Sequence, residues 1–327
     1  MNFNPILRPR RLRDNSIIRS LVEEIKLCHD DLVFPLFVSE NSRTPEKIDS
    51  MPEMFRWPLK SLPSKIKECQ DIGIKAFAIF PQIDSSKKNP LGSDFLNPDS
   101  LTYRAAEEIK SSISDVLLIG DLALDPYTNH GHDGVLNSTG VVDNDKTVKA
   151  LSKGAVMAAK SGYDLVAPSD MMDGRVSAIR KELDQNEFQK TGIISYSAKF
   201  SSAYYGPFRE AIGSGQTTPI DKSSYQLKTG NLREAKRELN LDYAEGADIL
   251  MIKPAEPYLD VISYAKTEFD IPIAAYQVSG EYSRIWAAHL QGWLDLESCA
   301  IESMLSIKRA GADIIFTYFA ERIAKLI

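Results

Sequence analysis

Short apolar runs of strand length recur along the chain. They fall at 32–38, 76–81, 116–124, 165–169, 193–199, 249–254, 273–278 and 314–319, are rich in Val, Ile and Phe, and are bounded by Gly, Asp or Pro. Between most of them the apolar positions take a helical spacing, as at 146–160, 232–245, 259–268 and 296–309, where Ala, Glu, Lys and Leu dominate. A four-residue joint precedes several strands: Ser161-Gly162-Tyr163-Asp164, Glu245-Gly246-Ala247-Asp248 and Ala310-Gly311-Ala312-Asp313, with Asp71-Ile72-Gly73-Ile74 as a looser copy. Glycine suits the left-handed residue that ends a helix. Helix, glycine turn and buried strand in repetition predict a parallel sheet with crossover helices.

Eight such strands predict a closed (β/α)8 TIM barrel, with an open doubly wound sheet as the alternative. No G-x-G-x-x-G follows the first strand, and Gly213-Ser214-Gly215 lacks a glycine at 218, which removes support for a dinucleotide fold. The first strand begins near residue 32, so 1–30 is expected to be an N-terminal arm and 31–327 the barrel. No composition shift marks a linker between two domains.

Composition narrows the function classes. With 327 residues, 43% hydrophobic and 26% charged, the chain has enough apolar material for a large core. A net charge of −6 disfavours a general nucleic-acid partner. The basic cluster Arg8, Arg10, Arg11 and Arg13 stands beside Asp14 and is read as an arm against a neighbouring subunit. That stretch lacks the apolar centre of a secretory signal, and no apolar run is long enough to span a membrane. Cys28, Cys69 and Cys299 are far apart and odd in number, which points to structural thiols in a reducing, cytoplasmic compartment.

In barrels of this kind chemistry sits at the C-terminal ends of the strands. Those ends offer Ser39, Asp121 with Asp125, Ser169 with Asp170, Lys199, Lys253, Ser279 and Tyr318. Two lysines ending consecutive apolar strands are the sharpest feature. A desolvated lysine beside a second cation has a lowered pKa, and its neutral amine attacks a ketone to form a Schiff base. Each lysine alone reads equally well as a snorkelling stem or an ion pair; two at matching strand ends favour catalysis.

Longer motifs surround these lysines. They are Ser195-Tyr196-Ser197-Ala198-Lys199-Phe200, Tyr204-Tyr205-Gly206-Pro207-Phe208-Arg209, Met251-Ile252-Lys253-Pro254, Pro257-Tyr258-Leu259-Asp260, Val278-Ser279-Gly280-Glu281-Tyr282 and Ala167-Pro168-Ser169-Asp170-Met171-Met172-Asp173-Gly174-Arg175. Together with Arg8-Pro9-Arg10-Arg11-Leu12-Arg13, the chain resembles the porphobilinogen synthase, or 5-aminolevulinate dehydratase, family from the arm to Tyr318. The resemblance implies a barrel with an N-terminal arm, a homo-oligomer, commonly an octamer, and condensation of two 5-aminolevulinate molecules to porphobilinogen in tetrapyrrole synthesis. It places the substrate that keeps its amine free (the P side) on Lys253 and the second (the A side) on Lys199. Arg209, Lys222 and Gln226 align with A-side carboxylate contacts, and Ser279 and Tyr318 with P-side contacts. Many relatives carry arginine where this chain has Lys222, so the charge is kept and the bidentate geometry lost. Phe208 and Tyr205 would supply an apolar wall, with ordinary core packing as the alternative for Tyr205. Residues 200–222 read as a lid that excludes water. Asp121 and Ser169 match active-site positions and suit proton transfer with the two lysines.

The metal pattern departs from part of the family. Zinc-using members carry three cysteines after the third strand, and the matching positions here are Ala123, Asp125 and Asp133. Without thiolates no zinc site is expected. Asp125 and Asp133 either hold Mg2+ through waters or orient water or a substrate amine. His130 and His132, two apart in a loop, read as hydrogen-bonded structure. By resemblance, Glu238, supported by Asp173 through water, is the candidate for an activating Mg2+ at a subunit boundary, with a plain solvated carboxylate as the alternative. The competing reading of the whole chain is another class I aldolase-type barrel with one Schiff-base lysine on a sugar phosphate. The segment after the seventh strand, Ser279-Gly280-Glu281-Tyr282, places a carboxylate where such a substrate needs a phosphate cradle. A barrel-derived scaffold without activity is a third reading, and retention of both lysines and Arg209 argues against it.

Overall fold

The computed structural model describes residues 6–213 and 221–327. Ten strands follow one another in the chain: β1 (Leu32–Ser39), β2 (Glu46–Lys47), β3 (Phe55–Pro58), β4 (Ala76–Gln82), β5 (Leu117–Leu122), β6 (Leu165–Pro168), β7 (Gly192–Lys199), β8 (Ile249–Lys253), β9 (Ile273–Gln277) and β10 (Ile314–Thr317). β1 pairs in parallel with β4, each strand from β4 to β9 pairs with the next, and β10 returns to β1 through Leu32↔Ile315 and Val33↔Phe316. The eight expected runs therefore close into a parallel barrel. β2 and β3 lie outside the expectation. β3 continues along β1 in parallel at Phe37–Ser39, and β2 pairs antiparallel with β3. Pieces of two and four residues are too short to carry a periodic signal.

Several expected runs extend past their strands. β5 ends at Leu122, β6 at Pro168, β8 at Lys253 and β10 at Thr317. The apolar residues continue into loops over the mouth, where Ala123, Leu124, Val278, Tyr318 and Phe319 are buried. Ser169, Ser279 and Tyr318 thus stand just beyond the sheet, facing the place where a substrate would enter.

An outer layer of helices covers the barrel: α1 (Ser16–Leu21) in the arm, then α2 (Leu62–Asp71), α3 (Leu101–Ser112), α4 (Asn144–Ser161), α5 (Arg175–Gln185), α6 (Gly206–Ala211), α7 (Leu232–Ala244), α8 (Leu259–Glu268), α9 (Ser279–Leu290), α10 (Leu296–Ala310) and α11 (Ala320–Ala324). The recurring joint has a two-part cause. Gly162 and Gly311 end α4 and α10 at φ of 106° and 123°, which a side chain disfavours. The aspartate two positions on then accepts a backbone N–H at the start of a neighbouring strand: Asp164 from Leu118 at 2.7 Å, Asp248 from Ile193 at 2.7 Å and Asp313 from Ile273 at 2.9 Å. Each strand entry is therefore pinned by a residue of the next repeat, at the end opposite the mouth. No helix of the described residues is long and apolar enough to cross a membrane. The arm keeps to itself: its 3-10 turn Pro9–Arg13 and α1 contain no buried residue.

Candidate active site

Lys199 ends β7 and Lys253 ends β8, and the two are direct register partners in the parallel ladder. Both are buried, at 7% and 6% exposure. A register shift between Ser195 and Ala198 interrupts β7. Strict alternation puts residues 196 and 199 on opposite faces. The irregularity lets both Tyr196 and Lys199 point inward, as bulges near active sites do. The Tyr196 ring then serves both amines, lying 4.9 Å from Lys253 Nζ and 6.0 Å from Lys199 Nζ.

Lys253 Nζ sits in an aromatic enclosure. The ring centres of Tyr276, Tyr196, Phe208 and Tyr205 are 4.4, 4.9, 5.2 and 5.5 Å away. No carboxylate of the described residues lies within ion-pair distance. Burial, then the charge of Lys199, brings the Lys253 amine down to about 7, against the pull of Asp121, Asp125 and Asp133. The amine is thereby available as a nucleophile near neutral pH. The same ring faces attract a cation, so they favour the iminium formed from the amine.

Lys199 is held differently. Its Nζ donates to Asp133 Oδ2 at 3.0 Å and to the Ser169 carbonyl. The two lysines thus sit in different surroundings, Lys253 among rings and Lys199 in an ion pair. Lys222 also donates to Asp133, through Oδ1, and to Asp125 at 3.2 Å. Gln226 donates to Asp133 Oδ2 at 3.4 Å. Asp133 is fully buried, yet the two ammonium groups overcome the burial penalty and hold its carboxyl down at about 2. Its partner Lys222 is raised for the matching reason, through Asp125 and Asp133. Lys222 thus pairs with two carboxylates of this chain at the mouth, where the resemblance aligns it with a substrate carboxylate.

Asp121, near the end of β5, borders the same space, and its Oδ1 is out of solvent contact without a hydrogen-bond partner. Burial raises its carboxyl to about 7, with Asp125 adding to the rise and Lys253, Lys199 and the Ser169 hydroxyl opposing it. A carboxyl and an amine that both titrate near neutrality suit proton exchange at the reacting centre. Phe208 lies against Phe80 at 5.2 Å and Phe37 at 5.8 Å, so it closes the space from the lid side. The Tyr205 hydroxyl donates to the Phe200 carbonyl at 2.8 Å, which gives this residue a structural task as well as a wall. Tyr318 and Tyr276 share a hydroxyl contact at 2.9 Å. The Ser279 hydroxyl accepts from the Phe208 N–H at 3.0 Å. Arg209, on α6, is partly exposed and has no ion pair among the described residues. The expected lid is described at 200–213 and 221–222, and its segment 214–220, with Ser214 and Gly215, lies outside the described residues.

The candidate metal positions differ in their fit. At Asp125 and Asp133 two ammonium groups occupy the place a divalent cation would need, so these carboxylates do not fit a metal. His130 and His132 bond to the Pro90 carbonyl and the Tyr225 hydroxyl, both at 3.1 Å, as loop structure. Among the described residues no group of three or more His, Cys, Asp or Glu side chains could hold a metal directly. Glu238 is half-buried beside a cavity of about 280 Å³ that Asp173 and Glu234 also line. Burial raises its carboxyl, and Asp242, Asp173 and Glu234 raise it further against Arg175. A single carboxylate in surplus negative charge fits a hydrated cation.

Sequence patterns did not single out Tyr276 or the tie between Asp133 and the two lysines. Tyr276 was hidden because an aromatic in a buried strand is indistinguishable from core. Asp133 was placed among metal candidates since a loop carboxylate carries no sign of its partner 66 residues away.

Comparison with known proteins decides the relationship. A family model described as delta-aminolevulinic acid dehydratase matches residues 6–326. The chain belongs to this family. The delta-aminolevulinic acid dehydratase of Methanothermus sociabilis is 47% identical over 98% of this chain and 98% of its own. That of Chlamydia pneumoniae is 46% identical over 98% of this chain and 96% of its own. The crystal structure of the Toxoplasma gondii ME49 enzyme with its reaction product porphobilinogen superposes with a TM-score of 0.96 at 44% identity, covering 98% of this chain and 91% of that one.

Proposed function

We infer that the chain is a porphobilinogen synthase, which joins two 5-aminolevulinate molecules into porphobilinogen with loss of two waters. The observation that carries this is the pairing in register of Lys199 with Lys253, the latter a nucleophilic amine among aromatic rings. Each ketone condenses with one lysine and loses its oxygen as water; bond formation between the substrates then returns both amines to the enzyme, so atoms balance. Lys253 takes the P-side substrate. Its desolvated amine attacks the ketone, and the rings of Tyr196 and Tyr276 stabilise the cationic iminium. Lys199 takes the A-side substrate once its amine has given up its proton to water, and Asp133 and the Ser169 carbonyl hold its Nζ in place. Asp121 removes or supplies a proton at the carbon being joined. Arg209, without an ion pair among the described residues, receives the A-side carboxylate with Lys222 and Gln226. Ser279 and Tyr318 receive the P-side carboxylate. Two covalent anchors fix both reactants and lower the entropic barrier. The segment 200–222 acts as the lid.

The protein works as a homo-oligomer, an octamer, in the cytoplasm. The arm supports this, since Ile6, Leu7, Ile17 and Leu21 are each about four-fifths exposed and call for a neighbouring subunit. Free Cys28, Cys69 and Cys299 suit a reducing compartment. Mg2+ is the metal that Glu238 with Asp173 would hold, and when bound it would favour the larger assembly. Incubation with 5-aminolevulinate should yield porphobilinogen, detected colorimetrically, and no product under any metal condition overturns the reading. EDTA should lower activity and shift the protein to smaller species on sizing chromatography, with Mg2+ restoring both. Full activity and unchanged size after exhaustive chelation would remove the metal from the account.

A further inference from the structure

One buried carboxylate near Lys253 is not used by the chemistry above. Glu281, in the first turn of α9, is fully buried. Oε2 accepts the Val278 N–H at 2.6 Å and the Ala255 N–H at 3.4 Å, and Oε1 accepts the Glu256 N–H at 2.6 Å. Burial raises its carboxyl to about 8, and only these backbone donors work against that. No lysine or arginine of the described residues pairs with it.

The placement is informative. Val278 follows the last residue of β9, and Ala255 and Glu256 follow Lys253 by two and three positions. The ladder between β8 and β9 ends at Ile252↔Ala275, one residue short of Lys253. Beyond that point Glu281 takes over the joining of the two strand exits. The residues just before it carry the join to the lid side. A Cβ on Gly280 would stand 2.5 Å from the Tyr204 carbonyl oxygen, so only glycine lets that backbone rest there. The Ser279 hydroxyl accepts from the Phe208 N–H at 3.0 Å and donates to the Tyr204 carbonyl at 3.4 Å. Tyr205 and Phe208, two of the four rings over Lys253, belong to this supported segment.

We propose that Glu281 is a positioning residue for the Lys253 amine: its carboxyl group locks the loop after Lys253 to the first turn of α9 and, through Ser279 and Gly280, sets Tyr205 and Phe208 over Nζ. The inference rests on Lys253 being the Schiff-base lysine. Glu281→Gln keeps the volume but turns an NH2 group toward either the Glu256 N–H or the Val278 and Ala255 N–H groups, so one side of the lock opens. In the intact protein, borohydride trapping of 5-aminolevulinate on Lys253 should slow about 10- to 100-fold, with kcat falling in step and KM changing less than about threefold, the pattern of lost orientation. A structural role alone would lower the melting temperature and the active fraction, while the surviving enzyme traps substrate at the wild-type rate. That result, or a folded Glu281→Gln protein with unchanged trapping, overturns the proposal. If the variant does not fold, amide hydrogen exchange on the wild-type protein decides: slow exchange at Glu256 and Val278 is expected, and fast exchange at both contradicts the lock. Absence of any Lys253 adduct in the wild type would overturn the functional reading itself, whereas an adduct with unchanged Glu281→Gln kinetics overturns this inference alone.

Discussion

Replacing Lys253 by alanine will abolish porphobilinogen formation, by about 10⁵-fold or more, because the substitution removes both the covalent anchor and the orientation it confers. The effect should fall on kcat, with little loss of thermal stability. A lysine whose amine has no ion pair contributes little to folding, and burial already acts against its charge. Lys253→Arg should be equally inactive, since a guanidinium stays protonated and cannot form the imine. The same geometry sets the pH dependence. Below about 7 the Lys253 amine is increasingly protonated, so adduct formation falls tenfold for each further pH unit; above it the rate levels. Because Asp121 titrates in the same range, the limb belongs to the pair. A rate of adduct formation that keeps rising about tenfold per unit up to pH 9, without levelling near 7, would show that the enclosure does not lower the amine.

Asp133→Asn carries the second large effect, and of a different kind. The wild-type carboxylate serves Lys199 at 3.0 Å and also Lys222, in a fully buried position. Removing its charge leaves two ammonium groups close together without their common anion. Breaking a buried pair costs about 3–5 kcal/mol, so the melting temperature should drop by several degrees. Turnover should fall about 100-fold or more as Lys199 loses the carboxylate that holds its amine in place. Lys253 lies outside this cluster, in its own rings, and should still form its adduct. Thermal scanning with adduct mass analysis on one sample separates the two: a variant that keeps wild-type stability, or that loses the Lys253 adduct as well, contradicts the assignment.

The legible part of this fold was the part built on periodicity. Apolar runs and the glycine joint led to eight strands, and the barrel follows because each run pairs with the next. The joint's aspartate is equally regular, yet its purpose, taking the free N–H of the neighbouring strand, required the register. Strand ends were less legible, since residues such as Val278 and Tyr318 stay buried beyond the last ladder bond. At the site, the strand-end rule brought Lys199, Lys253 and Asp121 forward. The environment that differentiates the two lysines did not show. Tyr196 shares the interior with Lys199 only because β7 breaks its alternation, and Asp133 reaches Lys199 across 66 residues of chain. Long-range pairing and local irregularity leave no periodic trace, so they emerge only from the folded chain.

Borohydride reduction after addition of one equivalent of 5-aminolevulinate, followed by peptide mass mapping, tests the central claim most directly. The account predicts a reduced adduct on the peptide that contains Lys253, with a second on Lys199 once substrate is in excess. An adduct confined to Lys222, Lys88 or any other lysine, or none at all in protein that makes porphobilinogen, would contradict it.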